Sequence, residues 1–430
     1  MRILYTALFY FGLPLIVLRL YWRGFKSAAY RERWLERLGV YHFAASLHKT
    51  IWIHAVSVGE VEAVVPVVRQ LQIAFPEQRF LVTTTTPTGS VRALANFGES
   101  VVHVYLPYDL PDVLARFFTH FKPLIAIFVE TEIWPNIFAA CAQRNVPVYI
   151  INARLSEKSV RGYQKIKQFT SSTLQHVTLV AAQTEADAER FHALGVKYEK
   201  IKVLGNIKFD SPVVDSMILE AQALKSQLFA QRFVWLIAST HKGEEAYFIN
   251  LFRTLQQIAP ELLLVIAPRH PERFLEVRDD CLQAGLKVIS RSQQSLAPFD
   301  NTPITAEVFL LDTLGELKMF YATADLAFVA GSIQPIGGHN VLEPAAMAVP
   351  IMFGQHMHNF QAIAQGLLAV KGAVQCLTEQ DIVSEFTRLY KDEQARQAMV
   401  TQASTFVAQN RGAQHKVAEL LGAAIMRNQH

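Results

Sequence analysis

The sequence predicts an α/β chain of two doubly wound parallel-sheet domains preceded by an apolar N-terminal helix. Three observations carry this expectation. Short β-rich runs alternate with helical stretches along most of the chain, the runs are apolar throughout, and the rhythm breaks once near the middle. Apolar runs without polar alternation, set between helices, indicate parallel strands covered on both faces. A length of 430 residues, half of them apolar, suits two or three domains that each bury a core.

Ile3 to Leu18 is uncharged, and Leu20, Tyr21 and Trp22 extend the apolar stretch if Arg19 snorkels. That approaches the roughly 20 residues of a spanning helix, with Tyr21 and Trp22 suited to an interfacial belt. Arg19, Arg23, Lys26, Arg31, Arg33 and Arg37 follow. The positive-inside rule then puts the N-terminus outside and the rest of the chain in the cytoplasm. Arg31–Arg37 is expected to lie along the anionic leaflet as an amphipathic helix. No small-x-small cleavage site follows the apolar run, which argues against a cleaved signal peptide. Residues 1–40 are therefore read as a membrane anchor with a basic amphipathic segment; the alternative is a core helix that never meets lipid.

In the first half, apolar runs occur at Ile51–Ser57, Phe80–Thr86, Val101–Leu106, Leu124–Val129, Val146–Ile151, Leu179–Ala182 and Ile201–Leu204. These define a domain over residues 45–208. A linker is expected over 209–231, around Asp210-Ser211-Pro212 and the polar stretch after it. Runs at Phe233–Ala238, Leu262–Ala267, Lys287–Ser290, Val308–Leu311, Leu326–Ala330, Pro350–Phe353 and Val374–Leu377 define a second domain over 232–400. A terminal helix spans about Asp392–Met426, with residues 401–430 packing back toward the first domain. Ligands are expected in the cleft between the domains, where both sets of strand ends converge.

The net charge of +4 is too small to argue for nucleic acid. Cys141, Cys281 and Cys376 are far apart in apolar contexts, without zinc or redox spacing. No Gly-x-Ser-x-Gly elbow, Gly-x-Gly-x-x-Gly fingerprint or Asp-x-Asp occurs.

Chemistry concentrates at strand ends. Ser57-Val58-Gly59-Glu60 joins a strand to a helix, so Glu60 is either a catalytic base or one half of a Ser-x-x-Glu capping box. Glu130 begins Glu-Thr-Glu-Ile-Trp-Pro-Asn at another strand end, where a buried acid is costly unless paired or used. Lys208 lies in Gly205-Asn206-Ile207-Lys208-Phe209-Asp210 and reads equally as a cleft residue or a solvated surface lysine. In the second half, Pro268-Arg269 ends a strand, and an arginine there can clamp phosphate or carboxylate. Gly337-Gly338-His339-Asn340 with Glu343 reads as an anion and ribose loop, or as a turn capped by Asn340.

Together these motifs resemble the 3-deoxy-D-manno-oct-2-ulosonic acid (Kdo) transferases of Gram-negative bacteria. The resemblance runs over His-Ala-Val-Ser-Val-Gly-Glu, Glu-Thr-Glu-Ile-Trp-Pro-Asn, Gly-Asn-Ile-Lys-Phe-Asp, Ser-Thr-His-x-Gly-Glu-Glu, Ala-Pro-Arg-His, Asp-Thr-x-Gly-Glu-Leu and Gly-Gly-His-Asn-x-Leu-Glu-Pro. It implies the glycosyltransferase B (GT-B) fold, two Rossmann-like domains with an interdomain cleft. It implies an inverting enzyme that takes Kdo from CMP-Kdo to the lipid A precursor (lipid IVA), with no metal and no cofactor. It implies a place at the cytoplasmic face of the inner membrane, in contact with membrane lipid, on a single N-terminal anchor.

By the same resemblance Glu60 is the general base, and Glu130 and Lys208 assist the transition state. Pro268, Arg269, Gly315, Glu316, Leu317, Gly337, Gly338, His339, Asn340 and Glu343 then contact the donor nucleotide. The family more often carries Gly-Pro-His where this chain has Gly354-Gln355-His356, a minor departure. Two rival readings are a nucleotide-sugar epimerase of the same fold and a non-enzymatic membrane-anchored lipid-binding protein.

Overall fold

The computed structural model describes residues 1–26, 28–210, 215–293 and 304–429. Its contacts divide the chain into two compact units, Met1–Asp210 with Arg411–His430, and Ser211–Asn410.

The first unit holds β1 (Thr50–His54), β2 (Arg79–Thr84), β3 (Val102–Tyr105), β4 (Pro123–Val129), β5 (Val148–Ala153), β6 (Leu179–Ala182) and β7 (Ile201–Val203). They form one sheet in the order β3-β2-β1-β4-β5-β6-β7, with every neighbouring pair parallel. All residues of β1, β4 and β5 are buried, which is why their sequences carry no polar alternation. Along β1, Ile51 and Ile53 enter one core layer with Val64, Val68 and Val417, while Trp52 enters the other with Phe117, Phe128 and Phe138. Replacing Trp52 with alanine would cost about 3–5 kcal/mol by leaving a cavity in that layer.

The second unit repeats the plan. It holds β8 (Phe233–Thr240), β9 (Leu262–Pro268), β10 (Val288–Ser290), β11 (Val308–Leu310), β12 (Leu326–Val329), β13 (Ile351–Phe353) and β14 (Val374–Gln375). The order is β10-β11-β9-β8-β12-β13-β14, again all parallel. Trp235 and Ile237 fill one face of this sheet, and Val234 and Leu236 the other.

The strand order reverses between β1 and β4 in the first unit and between β8 and β12 in the second. In open α/β sheets the crevice at the carboxyl end of such a reversal is where ligands bind.

Three sequence expectations change. The single terminal helix is two helices, Glu393–Gln409 and Ala413–Gln429. Gly412 interrupts them with a φ of 97°, and Asp210 accepts hydrogen bonds from the Gly412 and Gln414 N–H groups at 2.5 and 2.7 Å. The second of these helices packs on α2 (Val58–Ala74) of the first unit.

The stretch read as a linker contributes part of a core. Residues 211–214 lie outside the described residues, but Leu224, Leu228 and Phe229, carried by a helix and a π turn, are buried in the second unit.

The basic segment is not an amphipathic helix over Arg31–Arg37. Arg33 takes a φ of 54°, pairs with Glu36 at 2.7 Å and donates to the His103 carbonyl at 2.6 Å. Arg37 is buried and donates to the Thr85 carbonyl at 2.8 Å. These cations are spent on the fold.

Candidate active site

In the first unit, β1 ends at His54 and the chain turns at Ser57 into α2. Ser57 Oγ accepts the Glu60 N–H at 3.4 Å, as a helix cap does. The Glu60 carboxylate is held as well. Its Oε2 accepts the Val56 N–H at 2.7 Å, and its Oε1 accepts the Ser57 hydroxyl at 3.0 Å. Cap and positioned carboxylate therefore coexist. Burial raises the Glu60 pKa to about 7; the negative charge of Glu130 adds to this, and the two hydrogen bonds oppose it. A carboxyl poised near neutrality is suited to accept a proton during turnover.

Glu130 follows β4 with a φ of 62°, a left-handed conformation uncommon for a non-glycine residue. Its N–H donates to the Ile151 carbonyl at 2.9 Å, and its Oε1 accepts from Lys208 Nζ at 2.5 Å. Lys208 is carried by a turn over Ile207–Asp210. That turn is tied to β5, where the Asn152 side-chain oxygen accepts the Ile207 N–H at 3.1 Å. Asn152 is fully buried with a φ of 51°. It is a positioning residue, and only the fold brings it to residue 207. Beside this cluster, Glu132 accepts the Trp134 indole N–H at 2.8 Å and lies 3.8 Å from Nε2 of the buried His54.

In the second unit the loops after β8 and β12 meet at the reversal. Nε2 of His241 and Nε2 of His339 are 2.8 Å apart, with the rings parallel to within 3°. Burial and nearby cationic groups push His241 down to about 4 and His339 down to about 3. Both are neutral at physiological pH, and one ring N–H donates to the bare nitrogen of the other.

Glu244 organises these loops. Its fully buried carboxylate accepts the His241 N–H at 3.0 Å, the Gly331 N–H at 2.8 Å and the Ile333 N–H at 3.2 Å. Gly331 has a φ of 67°, and a Cβ there would collide with the His339 ring. The role of Glu244 was not legible in its own segment, because two of its three donors come from some ninety residues away.

The other expected donor-binding residues line up as follows. Pro268 is the last residue of β9, Arg269 is an exposed cation beyond it, and the Arg269 N–H donates to the Thr240 carbonyl at 3.0 Å. Gly315 has a φ of 88°. The Glu316 carboxylate accepts from Arg291 at 2.9 Å and from the Thr313 hydroxyl, just before Leu317 opens a helix.

Gly337 and Gly338 have φ values of 114° and 73°. The Gly338 N–H is committed to the Gly331 carbonyl at 2.7 Å, so the glycine pair closes the loop on itself and does not present both N–H groups to an anion. Asn340 donates through its amide to Glu343 Oε1 at 3.1 Å and accepts the Leu342 N–H at 3.0 Å. This is not the reciprocal capping box that the spacing allowed. Burial raises Glu343, while Lys318, the Asn340 hydrogen bond and Arg269 pull it back down, which places Lys318, Arg269 and Glu343 in one electrostatic neighbourhood. Among the described residues, no three His, Cys, Asp or Glu side chains group as a metal site requires.

Comparison with known proteins identifies the class of reaction. Residues 32–211 match the model of the family described as 3-deoxy-D-manno-octulosonic-acid transferase (kdotransferase). A 3-deoxy-D-manno-octulosonic acid transferase of Haemophilus influenzae is 38% identical over 429 residues, 99% of each chain. The chain belongs to the Kdo transferase family. It is a glycosyltransferase, an enzyme that transfers Kdo. A second member of the family, from Bordetella pertussis, is 32% identical over 386 residues, 88% of each chain. In fold the transferase resembles the UDP-GlcNAc 2-epimerase of Neisseria meningitidis, with a TM-score of 0.56, 17% identity, and 87% of this chain and 99% of that one covered. At that identity the likeness concerns the GT-B type of fold alone and does not revive an epimerase reading.

Proposed function

We propose that this transferase moves Kdo from CMP-Kdo to a lipid A precursor in lipopolysaccharide inner-core biosynthesis, with Glu60 as the general base. The acceptor oxygen attacks the anomeric carbon of Kdo from the face opposite the phosphate. The glycosyl C–O bond breaks, CMP leaves with the electron pair, and the acceptor proton passes to the Glu60 carboxylate. Lys208, neutralised by Glu130, either stabilises charge in the transition state or holds the Kdo carboxylate. Arg269, the Gly315-Glu316-Leu317 turn and the Gly337–Asn340 loop with Glu343 bind the nucleotide. The reaction so written needs no metal, since cationic side chains supply the leaving-group stabilisation.

An anionic lipid acceptor suits an enzyme held at the cytoplasmic face of the inner membrane by its apolar N-terminal helix, which is long and apolar enough to cross a bilayer. The observation that carries this reading is the Glu60 carboxylate, anchored by two hydrogen bonds beside the strand-order reversal, with its pKa raised to about 7. Glu60→Gln tests it. Transfer from CMP-Kdo to lipid IVA, followed by product mass, should fall at least about 100-fold, with CMP binding by calorimetry unchanged. Normal turnover by that variant would remove Glu60 from the mechanism.

A further inference from the structure

We propose that α1 (Arg2–Lys26) lies in the plane of the membrane, on the same side as the unit to which it is attached, and does not cross the bilayer. The proposal rests on contacts within the first unit and is independent of the acceptor's identity.

By length and composition α1 qualifies as a span. Its contacts say otherwise. Tyr5 and Asp109 interact, and each shifts the other's ionisation. The Asn136 amide donates to Thr6 Oγ1 at 2.9 Å, and the Tyr10 hydroxyl donates to Asp112. The rings of Tyr5 and Phe9 pack on Phe169 and Tyr108, with centroids 5.8 and 6.1 Å apart. The other end is also tied to the unit. Arg31 covers the Phe25 ring at 5.3 Å, and Arg33, two residues on, donates to the His103 carbonyl.

A spanning helix would carry Tyr5–Tyr10 about 24–32 Å away from Lys26 along the membrane normal, at 1.5 Å per residue. The partners of those residues would have to follow. Asp112, which pairs with Arg116 at 3.0 Å, and the buried Asp109 would then sit at hydrocarbon depth, where ionisable groups are costly. With both ends fixed to one folded unit, α1 runs along that unit's surface.

The opposite face is built for lipid. Leu4, Leu8, Phe11, Leu15, Leu18 and Trp22 recur at alternating steps of four and three, the spacing of a single helical stripe, and each is at least half exposed. A soluble surface rarely shows a continuous apolar strip of that length. Exposed cations flank it, Arg2 at the start and Arg19 and Arg23 near the end, matching anionic headgroups. The occupant is therefore the headgroup–acyl boundary of an anionic bilayer, with the stripe immersed about 5–10 Å.

Depth measurement tests this on the full-length chain. The native cysteines are buried, so Leu4→Cys, Leu15→Cys and Trp22→Cys, all on the exposed stripe, each give one labelling site without disturbing the core. The labelled proteins are bound to phosphatidylethanolamine–phosphatidylglycerol vesicles, and probe depth is read with lipids that carry quenchers at set positions. The expected result is one shallow depth for all three sites, equal to within about 5 Å. A gradient of about 27 Å between positions 4 and 22 would establish a span and overturn the proposal. So would failure of the lipid quenchers to reach any site, which would mean that the stripe is covered by a second copy of the chain. Neither readout needs acceptor or donor, so this result stands apart from the outcome of the Glu60 assay.

Discussion

Lys208 Nζ lies 2.5 Å from Glu130 Oε1, and the charge of Glu130 is in turn one of the influences that raise Glu60. The three groups thus form a graded electrostatic chain in which one cation tempers one carboxylate, which tunes the next.

The pH dependence of transfer should expose that chain. A general base works when ionised, so kcat/KM should rise with pH through about 7, where Glu60 loses its proton. Glu130→Gln removes a like charge, favours ionised Glu60, and should move this limb to lower pH. Lys208→Met leaves Glu130 unneutralised and should move it to higher pH. Rate profiles of the three proteins check the order; an unmoved limb in Glu130→Gln would break the link.

Glu244→Gln should loosen the second unit. The carboxylate accepts three backbone N–H groups through two oxygens, and an amide offers only one oxygen and turns an NH2 toward the remaining donor. A loss of about 1–3 kcal/mol is expected, the cost of stranding a buried donor. Thermal unfolding reads the stability, and a CMP titration should weaken in parallel because the loops at 241 and 331 lose their common anchor.

Acid should destabilise the second unit through the paired histidines. An unfolded histidine takes up a proton near its ordinary value of 6.5, whereas His241 and His339 resist protonation until about 4 and about 3. Between those values the unfolded chain binds more protons than the folded one, so stability should fall as pH drops from 6.5 toward 4. Unfolding measured across that range should show a shallower slope in His339→Asn.

Two glycines should respond in opposite ways to alanine. Gly338 has a φ of 73°, and a Cβ there would collide with Met357 Sδ, so Gly338→Ala should lose both stability and donor affinity. Gly59, within α2 beside Glu60, has open space where a Cβ would go. Gly59→Ala should stabilise the helix by about 0.5–1 kcal/mol. Reduced transfer in that more stable variant, read by acceptor KM, would place the acceptor against Gly59.

The two sheets were legible because their strands are buried on both faces, which writes continuous apolar runs into the sequence. The turn at Glu60 was legible as a position but ambiguous as chemistry, and the structure explains why: Ser57 caps the helix while the carboxylate takes its own two hydrogen bonds. Relationships across long separations left no local trace. His241 meets His339 ninety-eight residues later, and Asn152 steadies the Lys208 turn from fifty-five residues away. Composition alone also misled at Arg33 and Arg37, because an arginine written into a basic stretch carries no mark of whether it faces lipid or a backbone carbonyl.

Asp210 has a consequence for how this chain could be rearranged. Its carboxylate grips Gly412 and Gln414, so the polypeptide leaves the first unit and returns to it at points one hydrogen bond apart. The 200 residues Ser211–Asn410 are, in polymer terms, a loop whose two ends are already pinned together. Closing so long a loop costs little more than closing a short one, because the entropy grows only with the logarithm of length. Excising that loop and joining Asp210 to Arg411 through a few Gly and Ser residues should therefore leave the first seven-stranded sheet, with its terminal helix, able to form as a continuous chain.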